Sequence, residues 1–217
     1  MREQVIEAIL ENKIIAIVRG ISAEEAVLAA EALYAGGIRL VEVTFNQKAP
    51  EAFADTAMAI KAIKERMGEK MLVGAGTVTS VELVEMAAEA GASYIISPDT
   101  DPAVINRTRE LGLVSLPGAY TPTEAKIAHN AGADFVKLFP CVGDAPAYIK
   151  AICGPMNHIR FLAVGGVNEG NAKDFLKAGA LGVGVGGNLV NKDWIKAGDY
   201  KKITEAAKKY IESINKV

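Results

Sequence analysis

Short apolar runs alternate along the chain with longer segments in which apolar residues recur at helical spacing. Most of the short runs are apolar on both faces, which is typical of strands in a parallel sheet that is covered by helices. These runs predict eight β-strands, at residues 14–18, 38–44, 71–73, 94–97, 113–116, 135–139, 161–164 and 181–185. The pattern therefore predicts an α/β protein.

Capping signals mark where helices begin and end between these strands. Three pairs have the spacing of a capping box, in which an N-cap hydroxyl and a glutamate three residues later bond to each other's backbone: Ser22 with Glu25, Thr79 with Glu82, and Thr121 with Glu124. Glycines are expected to end the helices at regular intervals, at Gly36, Gly68, Gly91, Gly112, Gly132, Gly154 and Gly179. Residues 2–11 and 199–214 add amphipathic helices before the first strand and after the last.

Each interval between these glycines leaves room for one strand, one helix and two short loops. No linker or change of composition interrupts the series. The sequence therefore predicts a single domain, residues 1–217, folded as a (β/α)8 TIM barrel with an additional N-terminal helix. A doubly wound open sheet is the main alternative, but that fold usually carries a dinucleotide fingerprint, and none is legible here.

Composition narrows the possible partners. The 217 residues carry 24 basic and 26 acidic side chains, a formal net charge of −2. Without a basic stripe or a cationic helix we expect neither nucleic acid nor a membrane as a partner. The first residues resemble neither a signal peptide nor a spanning helix, so we expect a cytoplasmic protein. The two cysteines, Cys141 and Cys153, are too few for a disulfide framework and are expected to be free thiols.

Lys137 lies in the middle of the apolar run 135–139. Alternation along a strand puts Lys137 on the same face as Phe135 and Phe139, which is expected to be the inside of the barrel. Burial disfavours the charged form of a lysine and lowers its pKa, which gives the free amine that a Schiff-base nucleophile needs. The alternative is a lysine that extends its ammonium group to water.

Glu42 lies inside the second predicted strand. It shares a face with Leu40 and Thr44, while Val41 and Val43 form an apolar face suited to packing under helices. Glu42 is therefore expected to point into the barrel, towards Lys137. The pair is interpreted either as a structural ion pair or as a general acid/base beside an amine nucleophile.

In a barrel of this type the active site lies where the strands end. Reading the predicted strand ends in order gives Arg19, Glu42, Thr44, Thr77, Pro98, Pro117, Lys137, Gly165, Gly166, Gly186, Gly187 and Asn188. The glycine turns after the last two strands occupy the usual phosphate position of such barrels, where backbone N–H groups hold the anion. Glycine pairs also simply form tight turns, so this signal has two interpretations.

Several motifs, in this order and spacing, carry a family resemblance. They are Val-Glu-Val-Thr at 41–44, Gly-Ala-Gly-Thr-Val at 74–78, Ile-Ser-Pro at 96–98, Pro-Gly at 117–118, Thr-Pro-Thr-Glu at 121–124, Phe-Val-Lys-Leu-Phe-Pro at 135–140, Val-Gly-Gly-Val at 164–167, and Ala-Gly-Asp-Tyr at 197–200. The sequence resembles the class I 2-keto-3-deoxy-6-phosphogluconate (KDPG) and 4-hydroxy-2-oxoglutarate (KHG) aldolases. The resemblance covers essentially the whole chain after the first helix.

The resemblance implies a homotrimeric barrel that cleaves a 2-keto-4-hydroxy acid to pyruvate and an aldehyde, glyceraldehyde 3-phosphate or glyoxylate. No cofactor or metal is expected, because a lysine Schiff base supplies the chemistry. Lys137 matches the Schiff-base lysine and Glu42 the proton-transferring glutamate. The remaining matches are Thr77 with the pyruvate carboxylate, Pro98 and Phe139 with positions lining the imine, and Gly165, Gly166 and Gly187 with the phosphate.

Three positions depart from the phosphogluconate pattern. Asn46 stands where many of those enzymes have an arginine that holds the substrate carboxylate, and Val164 stands where they have threonine. Both departures resemble the related 2-keto-3-deoxy-6-phosphogalactonate aldolases, and Arg19 could then take the carboxylate. Asn188 replaces a phosphate-binding serine, and its amide can still donate a hydrogen bond.

Other functions remain open at this stage. A metal-dependent aldolase would need histidines at strand ends, whereas His129 lies within a predicted helix and His158 in a loop before a strand. A phosphate-binding barrel isomerase would share the glycine turns but gives no reason for Lys137. A non-catalytic sensor barrel is the third alternative. Asp134, which opens the sixth strand at the opposite end of the barrel, is expected to be structural.

Overall fold

A computed structural model describes residues 2–215 and shows a barrel of parallel strands surrounded by helices. The helices are α1 (Arg2–Asn12), α2 (Ala23–Ala35), α3 (Phe53–Met67), α4 (Val81–Glu89), α5 (Pro102–Glu110), α6 (Pro122–Asn130), α7 (Ala145–Cys153), α8 (Ala172–Lys177), α9 (Lys192–Lys196) and α10 (Tyr200–Ile214). The strands are β1 (Ile14–Val18), β2 (Leu40–Thr44), β3 (Leu72–Gly76), β4 (Tyr94–Ile96), β5 (Val114–Leu116), β6 (Gly118–Ala119), β7 (Val136–Leu138), β8 (Phe161–Val164) and β9 (Gly182–Val185). Short 3₁₀ turns at Pro50–Ala52 and Gly68–Lys70 flank α3.

The strands form one sheet in the order β5-β4-β3-β2-β1-β9-β8-β7-β6, and every neighbouring pair is parallel. The two end strands, β5 and β6, are halves of a single barrel strand that is interrupted at Pro117. The Pro117 carbonyl accepts a hydrogen bond from Lys137 N at 2.9 Å, and the Ser115 carbonyl accepts one from Phe135 N at 3.2 Å. The sheet therefore closes on itself, which confirms the eight-unit barrel and excludes the open sheet.

Two of the three predicted capping boxes form, and one is wrong. Ser22 with Glu25 and Thr121 with Glu124 make both reciprocal bonds. Before α4, however, the N-cap is Ser80, whose extended backbone precedes the helix and whose side chain accepts from Leu83 N at 3.4 Å. The helix therefore begins one residue later than the capping box of Thr79 and Glu82 predicted.

The interior of the barrel has its own apolar cluster, separate from the larger one between strands and helices. At the end of the barrel where the strands begin, α1 closes the lumen. Its residues Val5, Ile6 and Ile9 are buried against side chains that point inward from the strands. The inward set comprises Ile15, Leu40, Tyr94, Ile96, Val114, Leu116, Phe135 and Leu162. The predicted additional helix is thus the floor of the barrel.

Asp134 lies at this closed end, opposite the strand ends that carry the candidate site. Its carboxylate pairs with the guanidinium groups of Arg2 and Arg109, the latter at 3.3 Å, and accepts a hydrogen bond from Ser115 N at 3.0 Å. These contacts tie α1, α5 and β5 together, in agreement with the expected structural role.

The C-terminal helix α10 packs on the outside of the barrel. Its residues Ile203, Ala207 and Tyr210 are fully buried, and Thr204 Oγ1 donates to the Ala32 carbonyl of α2 at 2.9 Å. The apolar face of the predicted amphipathic tail is therefore covered by the chain itself. Within residues 2–215, no helix is both long and apolar enough to cross a membrane.

Candidate active site

Lys137 occupies the centre of β7 and points into the lumen above Phe135. Only 7% of the residue is exposed, so its side chain does not extend to bulk water. Burial lowers the pKa of Lys137, the cationic Arg19 lowers it further, and the carboxylates of Glu42 and Asp99 act in the opposite direction. Burial is the largest of these effects, so the neutral amine is more populated than in an exposed lysine.

Glu42 is buried in β2, with 3% of the residue exposed. Burial raises the pKa of its carboxyl group, although the positive charges of Lys137 and Arg19 pull that pKa down. Space for the side chain comes from β3, because a Cβ atom at Gly76 would fall on the Glu42 carboxylate. The strand predicted at 71–73 therefore continues through Gly76, which leaves room for a carboxyl group inside the barrel.

Lys137 and Glu42 influence each other's charge but do not form a salt bridge. Among residues 2–215, no ion pair joins the two side chains within 4.0 Å. Their pKa values are nevertheless shifted towards each other, the amine downwards and the carboxyl upwards, and each feels the other's charge. This arrangement suits proton transfer through an intervening group better than it suits a structural ion pair.

Arg19 stands at the end of β1 and links the buried pair to the open end of the barrel. Its Nε donates to Thr44 Oγ1 at 3.3 Å. Its charge lowers the pKa of both Lys137 and Glu42. An arginine here can bind the carboxylate of a small acid beside the lysine, because the guanidinium NH₂ groups are not used by Thr44.

Thr77 follows β3 in the left-handed backbone conformation, with φ +57°. A β-branched residue is rare in this region, and holding it there costs on the order of 1–3 kcal/mol. Gln47, which the sequence did not single out, fixes the turn by donating from Nε2 to the Thr77 carbonyl at 2.9 Å. A strained turn at a strand end, next to the lumen, is typical of a functional position.

Phe139 and Pro98 lie at the rim. The Phe139 ring centroid is 4.7 Å from Lys137 Nζ, and the residue is 36% exposed. Pro98 is half-buried after β4, and Asp99, which follows it, raises the pKa of Lys137. Asp99 was missed by the sequence interpretation, although its place directly after a strand was a usable signal.

The turns after β8 and β9 contain glycine for different structural reasons. Gly165 and Gly166 have φ of +100° and +66°, and Cβ atoms there would meet Cys141 N at 3.0 Å and Cys141 O at 2.5 Å. Close packing against the loop after β7 explains these two glycines. At Gly187, in contrast, a Cβ would meet nothing within 4 Å, so this turn is open to a ligand.

Asn188 connects the two turns. Its Nδ2 donates to the Val167 carbonyl at 3.1 Å, which joins the loop after β9 to the loop after β8. The side-chain amide is therefore engaged within the protein. The expected role of Asn188 as a phosphate donor stays a prediction.

Two cavities open at the carboxyl ends of the strands. One, of about 400 Å³, is lined by residues near the ends of β1 and β9 and the start of α9: Ile17, Arg19, Gly186, Gly187, Val190, Asn191, Lys192 and Asp193. The other, of about 640 Å³, lies between the ends of β1 and β2 and the helices α2 and α3, and Asn46 lines it. Asn46 is exposed there and its Oδ1 accepts from Lys48 N at 3.1 Å. The structure thus groups Arg19 with the glycine turn and places Asn46 in a different cavity.

The described part of the chain contains no group of three or more histidine, cysteine, aspartate or glutamate side chains placed to hold a metal ion. His129 and His158 do meet, with ring centroids 5.1 Å apart, but at the closed end of the barrel near Asp134.

A closed parallel barrel with a buried lysine and glutamate in its lumen is typical of a (β/α)8 enzyme. The family model "KDPG and KHG aldolase" matches residues 5–206. The chain is 36% identical to the "Probable 2-dehydro-3-deoxy-6-phosphogalactonate aldolase" of Rhizobium meliloti (strain 1021), over 89% of this chain and 88% of the relative. It is 35% identical to the "KHG/KDPG aldolase" of Escherichia coli (strain K12), over 87% and 86%.

A solved structure agrees with these relatives. A KDPG aldolase from Legionella pneumophila, with pyruvate captured as a covalent carbinolamine intermediate, superposes with a TM-score of 0.82 at 26% identity, covering 94% of this chain and 96% of that one. The chain belongs to the KDPG and KHG aldolase family, which confirms the resemblance drawn from the sequence motifs.

Proposed function

We propose that this family member is a class I aldolase that cleaves a 2-keto-3-deoxy-6-phospho sugar acid or 4-hydroxy-2-oxoglutarate to pyruvate and an aldehyde. The observation that carries the proposal is the burial of Lys137 and Glu42 in one lumen, with pKa values shifted towards each other. A lowered pKa makes more of the nucleophilic neutral amine available, and a raised pKa makes a carboxyl group a better match for both donating and accepting protons.

The reaction begins when the neutral Lys137 amine attacks the keto carbon of the substrate. The carbonyl oxygen takes up a proton to give a carbinolamine, and loss of water gives an iminium ion on Lys137. Removal of the proton from the C4 hydroxyl then breaks the bond between C3 and C4, and its electron pair enters the iminium to form an enamine. The aldehyde leaves, the enamine is protonated at C3, and water releases pyruvate and the free amine.

Glu42 is the group that moves these protons, directly or through a water molecule. A carboxyl group inside the barrel but outside direct contact with Lys137 leaves room for the reacting atoms between them. The raised pKa favours the protonated form needed to expel water, and the nearby Lys137 and Arg19 favour the carboxylate needed to accept the hydroxyl proton. No cofactor takes part in this scheme.

The residues at the strand ends are assigned to parts of the substrate according to where they lie around the lumen. Arg19 and Thr77, at the ends of β1 and β3, hold the carboxylate next to the keto carbon, with Pro98 and Phe139 lining the imine. Gly165, Gly166, Gly187 and Asn188 surround the distal end of the substrate. Asn46, in the neighbouring cavity, is kept as an outer contact of the carboxylate end.

We further propose a homotrimer in the cytoplasm. An apolar surface beside the active-site mouth, here called the mouth patch and defined by Tyr120, Phe139, Val142 and Tyr148, supports self-association. Tyr120 is 49% and Val142 63% exposed, and the rings of Tyr120 and Tyr148 stack at 5.5 Å. Apolar side chains grouped in this way are typical of an interface.

The experiment that tests the function is a pyruvate-release assay with three compounds: a phosphorylated 2-keto-3-deoxy sugar acid, its unphosphorylated form, and 4-hydroxy-2-oxoglutarate. Cleavage of at least one of them, lost in Lys137→Met, supports the aldolase. No turnover of any of them would favour the sensor barrel. Isomerisation of the phosphorylated compound without pyruvate would favour the isomerase.

A further inference from the structure

Lys192 is an exposed residue at the start of α9, and its ammonium group lies beside the backbone of Gly20, just after β1. A Cβ atom at Gly20 would lie 2.8 Å from Lys192 Nζ and 3.8 Å from Lys192 Cε. The ammonium group therefore stands next to the backbone of the residue that follows Arg19. Glycine at position 20, with φ +61°, is what permits this approach.

Lys192 and Arg19 line the same cavity of about 400 Å³. Among residues 2–215, neither cation forms an ion pair with a carboxylate within 4.0 Å, and Arg19 has only the Thr44 hydroxyl as a side-chain partner. Asp193 also lines the cavity, but it pairs with neither. Two unpaired positive charges around one cavity repel each other, and a second anion beside Lys192, in addition to the carboxylate at Arg19, would offset that repulsion.

The position of the cavity relative to Lys137 and Glu42 limits which group of the substrate it can bind. Neither Lys137 nor Glu42 lines the cavity, while Arg19, which does, is close enough to shift both of their pKa values. Because Arg19 is assigned to the carboxylate next to the keto carbon, the part of the cavity beside Lys192 is left for a group several bonds further along the substrate. The open turn at Gly187 also lines the cavity.

We infer that Lys192 is a specificity-determining residue whose ammonium group, together with the Gly187 turn, selects substrates that carry a terminal phosphate. A phosphate on C6 is three atoms beyond C4 and reaches such a cavity, whereas the second carboxylate of 4-hydroxy-2-oxoglutarate is attached to C4 itself and stays near Lys137. Lysine binds phosphate as a point charge, and a dianion gains about twice the Coulomb energy of a carboxylate at the same distance. The inference rests on the proposed aldolase function.

The test compares Lys192→Gln with Lys196→Gln, an exposed lysine one turn further along the same helix. For the phosphorylated sugar acid, Lys192→Gln is expected to lower kcat/KM by about 10- to 100-fold, the usual effect of losing a hydrogen bond to a charged group. The loss should come through KM, with kcat within about twofold. The unphosphorylated acid and 4-hydroxy-2-oxoglutarate should be unaffected, and Lys196→Gln should match the wild type on all three.

The reverse reaction locates the effect on the substrate. In the synthesis of the sugar acid, Lys192→Gln should raise the KM for glyceraldehyde 3-phosphate and leave the KM for pyruvate unchanged. A similar loss with all three substrates, or a loss shared by Lys196→Gln, would overturn the inference. So would wild-type values in Lys192→Gln.

Borohydride trapping of pyruvate distinguishes failure of the Lys192 inference from failure of the proposed aldolase function. If the wild type is trapped on Lys137 and cleaves the phosphorylated acid while Lys192→Gln changes nothing, the specificity inference alone fails. If the wild type is neither trapped nor active, the proposed function fails, and the inference fails with it.

Discussion

Glu42 occupies the space that a side chain at Gly76 would fill. A Cβ atom built on Gly76 falls on the Glu42 carboxylate, so the absence of a side chain on β3 is what allows a carboxyl group inside the barrel. Gly74, two residues earlier, does the same for the ring of Tyr94, whose hydroxyl donates to the Val41 carbonyl at 2.7 Å. The glycines of β3 thus leave space in the lumen for the side chains of Glu42 and Tyr94.

Replacing Gly76 by alanine should therefore remove the function of a residue on a neighbouring strand. We expect Gly76→Ala to lower kcat by about 100-fold or more, the usual scale for general acid–base catalysis, because the Glu42 carboxylate is displaced. Glu42→Gln should lose a similar factor, which separates loss of the carboxylate from any effect on folding. The measurement is steady-state pyruvate release, with circular dichroism to show that the fold is kept.

Gly154→Ala is the matched control, because a Cβ there meets only ordinary contacts at 3.7 Å and beyond. Near-normal turnover in Gly76→Ala would show that Glu42 can function from another position. Near-normal turnover in Glu42→Gln would remove Glu42 from the mechanism.

The pH dependence of imine formation should reveal the charges around Lys137. The neutral amine is the reactive form, so the rate of trapping should rise with pH and level off above the Lys137 pKa, which burial places below 10.5. Arg19 lowers this pKa, so Arg19→Gln should move the midpoint to higher pH. Glu42 raises it, so Glu42→Gln should move the midpoint to lower pH. Shifts of the same sign in both variants would contradict the electrostatic description of the site.

The pKa shifts of Lys137 and Glu42 also determine how each group makes the stability of the fold depend on pH. The pKa of Lys137 is depressed in the folded state, so its contribution becomes more favourable as pH rises from the folded pKa towards 10.5. The pKa of Glu42 is raised in the folded state, so its contribution is lost as pH rises from 4.5 through the folded pKa. The neutral forms of both groups are the ones that the barrel tolerates best.

The floor of the barrel should be a major contributor to stability. Ile9 of α1 is 1% exposed and packs into the lumen, so Ile9→Ala should lower the free energy of unfolding by about 2–5 kcal/mol. Urea denaturation measures this, with the exposed Glu11→Ala as control. A loss under about 1 kcal/mol would mean that α1 is not a necessary part of the core.

If the protein self-associates through the mouth patch, a single carboxylate introduced there should disrupt the oligomer. Val142→Glu places a carboxylate at the most exposed apolar residue of the patch and should reduce the oligomer to smaller species in light scattering after gel filtration. Met58→Glu, which changes a 55% exposed residue on α3, should leave the oligomer intact. An unchanged trimer in Val142→Glu would place the interface elsewhere.

The barrel could be predicted from the sequence because each strand and helix unit carries its own local signals. Alternation placed Glu42 and Lys137 on the inner faces of their strands, since a half-buried register leaves only two choices. The capping boxes at Ser22 and Thr121 are equally local. The alternation of inward and outward residues along the strands was therefore enough to predict both the barrel and the burial of Glu42 and Lys137.

The parts that could not be predicted depend on contacts between distant segments. Nothing local says that β3 continues through Gly76, because the reason lies in Glu42 on another strand. The break at Pro117 and the cap at Ser80 are set by closure of the sheet and by the turn at Thr77. Lys192 was overlooked because its position on a polar helix gives no hint that it folds back over Gly20.

The central claim is that Lys137 is the nucleophile, and borohydride reduction in the presence of pyruvate, followed by peptide mass mapping, tests it most directly. We expect one reduced pyruvate adduct, on Lys137, which is absent from Lys137→Met and retained when Lys150, an exposed lysine of α7, is changed in Lys150→Met. An adduct on another lysine, or no adduct while pyruvate is still released, would contradict the Schiff-base mechanism.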